Sequence, residues 1–167
     1  QFIGKDLKAK TEGGYQYKAK FAKFPQGKTV SVKYSKLNSS IEKTMGSLFY
    51  SYQKKKLELM KNLFDKDGKK QLEKIPNENV EKQFKVVGLI KNPKLEYVLK
   101  YKNGYIISWY DESFTGKRKV FLVKEKGQFK LSKMHHNKDE HFVLKMNTYI
   151  LKSPFLTYIP KIDKTFK

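Results

Sequence analysis

The sequence predicts an α+β domain, an N-terminal hairpin and a group of helices packed on a curved antiparallel meander sheet, and three observations carry this. Apolar residues recur at helical spacing between Ser39 and Phe64 and alternate with polar ones between Leu95 and Met134. The alternating stretch is punctuated by Asn103-Gly104, a favoured two-residue hairpin turn. Helices first and strands afterwards argue for segregated layers rather than βαβ units. The length of 167 residues suits one domain, taken as 1–167.

In chain order, Tyr15, Tyr17, Ala19 and Phe21 alternate with lysines and Gln16, and Val30, Val32 and Tyr34 resume the alternation after Pro25 and Gly27. This predicts a hairpin of two half-buried strands. Ser39 and Glu42 have the spacing of a capping box, and Ile41, Met45, Leu48, Phe49 and Tyr52 then fall on one helical face. After the polar run 53–56 the stripe returns with Leu57, Met60, Leu63 and Phe64, as one long helix or two, and Asp67-Gly68 reads as a stop. A short helix over 69–75 would end before Pro76. Residues 84–90 are apolar and β-branched and are expected as a strand. Strands over 95–102, 105–110, 120–125 and 128–134 follow, with turns at Gly116 and Lys126-Gly127. Residues 142–159 read as either helix or strand, broken by Pro154 and Pro160. Leu48, Tyr52, Trp109, Leu122 and Phe129 are expected in one core.

Charge is the strongest compositional signal: 37 basic residues against 16 acidic give +21, and Arg118 is the only arginine. Lysine is a hydrated point charge without the planar fork that reads base edges, so sequence-specific nucleic-acid recognition is not expected. Non-specific contact with a polyanion is physically reasonable, while solvation of the surface explains the same lysines more simply. Cysteine is absent, which excludes disulfides, thiolate metal sites and a cysteine nucleophile. No apolar run approaches the roughly 20 residues of a membrane-spanning helix. The start at Gln1-Phe2, without an initiator Met, leads to the expectation of a secreted or periplasmic protein.

Residues 41–75, IEKTMGSLFYSYQKKKLELMKNLFDKDGKKQLEKI, and 97–133, ending in VFLVKEKGQFKLSK, together resemble the nuclear transport factor two-like (cystatin-like cone) superfamily. The resemblance spans about 39–134, taken as the core, with 1–38 and 135–167 as extensions. Its most specific part is Lys124 to Leu131, where Phe129 stands at a position many relatives fill with Trp. It implies a cone whose pocket lies between the helices and the concave sheet. Relatives include isomerase-like enzymes, polyketide cyclases, adaptors and conjugation-machinery components. The Asp or His with Tyr partners of the active members finds no matching motif in this chain.

Two clusters are candidates for chemistry. Tyr52, Tyr97, Tyr105 and Trp109 would line the cone pocket, with Asp111 and Glu112 alongside, although aromatic residues on paired strands are ordinarily core and the two acids fit an exposed turn. His135, His136 and His141, with Asp139 and Glu140, hold every histidine of the chain and have donors suited to a divalent metal, in a spacing that equally fits a solvated loop. The expected function is a non-catalytic accessory domain binding a small apolar ligand or a protein, without cofactor. The alternatives are a small cone-fold isomerase, dehydratase or hydrolase of an apolar metabolite, and a basic polyanion binder.

Overall fold

The computed structural model describes residues 5–10, 16–101 and 104–132. Its architecture is α+β, with four helices and a six-stranded antiparallel sheet among the described residues, the strands ordered as they occur in the chain. The N-terminal hairpin pairs β1 (Lys5–Lys10) with β2 (Gln16–Thr29). The expected hairpin of 15–21 with 30–34 is not formed: the partner of β2 is the unforeseen β1, and 30–34 forms no strand. The Pro25–Gly27 segment is not a turn but an irregularity inside β2, where register against β3 breaks between Lys23 and Lys28. Proline lacks a ladder donor, and a bulge tolerates that. Gly27 completes it with φ of 74°, and a Cβ there would lie 2.3 Å from the Tyr110 hydroxyl oxygen. Val30, Val32 and Tyr34 still turn toward the core, but from extended chain whose backbone bonds elsewhere: Val30 N–H to Pro93 O at 3.0 Å and Ser35 N–H to Ser47 Oγ at 2.8 Å.

Helix α1 (Ile41–Gln53) is capped by Ser40, one residue later than the capping-box reading, with its Oγ accepting from Lys43 N–H. The polar run then separates it from α2 (Leu57–Lys61), so the stripe 39–64 is two helices. Asp67-Gly68 does not stop the chain: α3 (Lys66–Glu73) runs through both, capped by Asp65, which accepts from Gly68 N–H at 2.7 Å. Glycine is needed there for close approach, since a Cβ would sit 2.7 Å from Phe64 and 3.1 Å from Leu131 O. The expected strand 84–90 is instead the end of α4 (Asn77–Val87). Phe84 and Val87 are buried and Val80 packs beside them, the i, i+4, i+7 spacing of a helix face, while Val86 stays exposed. Packing of that face overrides the β-branched propensity that suggested a strand.

The meander β3 (Lys94–Tyr101), β4 (Gly104–Tyr110), β5 (Arg118–Glu125) and β6 (Gln128–Leu131) follows expectation closely. Tyr101 pairs with Gly104, so Gly104 belongs to β4 and not to the turn. Lys126 and Gly127 both have positive φ, as a type I′ hairpin turn requires. The outer edge of β6 is occupied: Phe129 N–H bonds Asn38 O, Leu131 N–H bonds Leu63 O and Asp65 N–H bonds Leu131 O, each at 2.8 Å. An edge so bonded is no longer a template for another chain.

The helices pack on one face of this sheet. Met45, Leu48 and Phe49 of α1 meet Ile107, Trp109 and Leu122, with Phe129 and Leu131 at the far side of the same core. Leu48, Trp109, Leu122 and Phe129 are buried together as expected, and Tyr52 packs at the margin. Every residue of β4 from Gly104 to Trp109 is buried, so the sheet is covered on both faces there. Residues 142–159 lie outside the described residues.

Candidate helical cleft

At the helix–sheet interface where a cone pocket is expected, aromatic rings of the described residues pack against one another. Phe49 lies against Trp109 with centroids 4.6 Å apart, Phe114 meets Trp109 edge-on at 5.6 Å, and Tyr105 meets Phe129 edge-on at 5.2 Å. Trp109 is 2% and Tyr105 5% exposed, and both belong to the hydrophobic core. Arg118, opposite Trp109 in the register, lays its guanidinium 5.0 Å from the Phe114 ring centre.

Tyr97 is fully buried on the opposite face. It pairs with Ser108, whose neighbours Ile107 and Trp109 point to the helices. A polar network surrounds it: Ser108 Oγ donates to Glu96 Oε2 at 2.6 Å, and Lys117 Nζ donates to Glu96 Oε1 at 2.5 Å. Burial pushes the Tyr97 phenol up, the Glu96 charge adds to this, and a Ser108 hydrogen bond opposes it. A serine bonded to a carboxylate has the elements of a nucleophile and base, but Ser108 is wholly buried and Glu96 is committed to Lys117. The network holds the sheet together.

Tyr52, one of the four expected pocket residues, lines an opening that lies among the helices. The cleft encloses about 170 Å³ between the end of α1 and helices α3 and α4. Its walls include Phe64, Leu72, Ile75, Val80 and Phe84, and none of its lining residues is charged. The Asp65 cap fixes one wall: its second carboxylate oxygen accepts from Ser132 Oγ at 2.5 Å and ties the start of α3 to the end of the sheet. Phe84 fixes the other, its ring edge-on to Tyr52 at 5.7 Å. Gln83 Nε2 donates to the Tyr52 hydroxyl at 3.1 Å. Burial pushes that phenol up to about 12, against the opposing pull of the Arg118 charge, so it stays neutral and serves as a hydrogen-bonding group. Sequence reasoning missed this cleft because it read α4 as a strand; the spacing of Val80, Phe84 and Val87 was the available signal.

Asp111, expected on an exposed turn, is 3% exposed and organises the loop instead. It accepts from the backbone N–H groups of Lys91, Asn92 and Ser113 and from the Ser113 hydroxyl. Burial alone would raise its pKa, but these hydrogen bonds outweigh burial and hold it below the usual carboxylate range. Glu112 is exposed as expected. His135, His136 and His141, with Asp139 and Glu140, lie outside the described residues. Among the described residues no three His, Asp or Glu side chains gather to hold a metal ion, and no helix is long and apolar enough to cross a membrane. No family model, curated protein or solved structure matches the chain.

Proposed function

We propose that this chain is a non-catalytic binding domain of nuclear transport factor two-like shape, and that it binds through the cleft between α1, α3 and α4. The observation that carries this reading is an apolar cleft open to solvent beside a helix–sheet interface in which Phe49, Trp109 and Phe129 share the core. An isomerase or dehydratase needs an acid or base within hydrogen-bond reach of its substrate. The cleft offers the uncharged Gln71 and Gln83 and a phenol that stays protonated. The carboxylates of Asp65, Asp111 and Glu96 are spent on a helix cap, a loop and the sheet.

Thermal unfolding with indole as a probe tests the reading. Indole is expected to raise the melting temperature of the wild-type chain and to leave Val80→Phe, in which a larger ring fills the cleft, unaffected. Equal stabilisation of both proteins would refute it.

A further inference from the structure

Building on that reading, we infer that the cleft is an anchor pocket for a protein partner, taking one aromatic or branched aliphatic side chain from an acidic segment rather than a free metabolite. Size is the first argument. Pockets that engulf drug-sized ligands run to about 300–1,000 Å³, whereas a cavity of about 150 Å³ holds one benzene ring. The cleft, at about 170 Å³, matches a single ring or branched side chain.

The chemistry of the mouth points the same way. Gln71 and Gln83 each carry an amide with donor and acceptor, the complement of a peptide group. The lining has no charge to hold the carboxylate or phosphate of a metabolite. On the helices that form it, Lys69 and Lys70 of α3, Lys74 at its C-cap and Lys85 of α4 are exposed and form no ion pair with another described residue. They are interspersed with the exposed acids Glu73 and Glu81, so the charge that selects an acidic partner is that of the chain as a whole. The whole chain carries +21, so an acidic partner is steered toward it and a second copy is repelled. Ile75, at 37% exposure, lies at the solvent boundary of the cleft, where a docking segment would cover it.

Selection from a random-peptide library on the whole chain tests the inference. The winning peptides are expected to share one aromatic or branched aliphatic residue flanked by Asp or Glu. Replacing that residue with Ala should weaken binding at least about tenfold, and rising salt should weaken it further. Ile75→Asp, a change at a partly exposed position that should leave the melt intact, should cost a similar factor, as should Val80→Phe. Winners without acidic flanks, or winners indifferent to both variants, would overturn the inference. Should indole occupy the cleft while no selected peptide does, the anchor inference fails and the binding reading survives; should neither enter it, both fail.

Discussion

Truncating Phe49 to alanine is the sharpest probe of the closed interface. Phe49 is fully buried in α1 with its ring 4.6 Å from Trp109, so the change removes a ring from the contact between the helical layer and β4. Aromatic truncations in packed cores cost about 3–5 kcal/mol, of which about 0.5–1.5 kcal/mol reflects ring pairing beyond area burial. A domain of this kind has about 5–15 kcal/mol in total, so the variant should lose at least about a fifth of its stability. At roughly 2–4 °C per kcal/mol, the melting temperature should fall by about 6–20 °C. Trp109 is the sole tryptophan, and its emission during urea unfolding reports on this contact directly. Phe49→Leu, which nearly conserves volume, should cost less than about 1.5 kcal/mol. A Phe49→Ala midpoint equivalent to under about 1 kcal/mol would mean that the interface tolerates a void, and the argument for a filled interior would be wrong.

Three further outcomes follow from the same geometry. Asp111→Asn should destabilise by about 1–3 kcal/mol at neutral pH; because the folded pKa is depressed, the difference should be complete above about pH 4 and shrink as pH falls below the unfolded value, which parallel melts from pH 7 to pH 2 would follow. Lys117→Met leaves Glu96 buried without its cation and should cost more than Glu96→Gln, about 1–3 kcal/mol given that Lys117 is half exposed; the reverse order in denaturant titrations would deny the network its role. Gly68→Ala should destabilise by about 1–2 kcal/mol, although alanine is the better helix former by about 1 kcal/mol, because its Cβ meets Phe64 and Leu131 O; a stabilised variant would show that α3 can draw back from β6.

The meander was legible because alternation and turn chemistry agree along it: Tyr105, Ile107 and Trp109 alternate toward the helices, and Lys126-Gly127 supplies the positive φ values of the turn. Helix α1 was legible for the same reason, from a cap and an unbroken stripe. The segment 84–90 was misread because β-branched residues signal burial as much as strand, and only the i, i+4, i+7 contacts of Val80, Phe84 and Val87 decide between the two. Pro25 and Gly27 were misread because a bulge and a turn demand the same residues; pairing with β3 on both sides distinguishes them. Tyr97 and Tyr105 looked equivalent in sequence, yet the irregularity between Leu95 and Tyr97 sends Tyr97 to the other face. The period of Val80, Phe84 and Val87 signals the helix that walls the cleft, but how α3 and α4 meet α1 is a tertiary arrangement that this period does not encode.

Methyl-group NMR on the whole chain, titrated with toluene, measures most directly where the molecule accepts an apolar group. Shifts confined to Met60, Leu72, Ile75 and Val80, with those of Met45, Ile107 and Leu122 unmoved, are the result that a filled interior and an open helical cleft require. Shifts centred on Met45, Ile107 and Leu122 would place the binding space between helices and sheet and contradict the account.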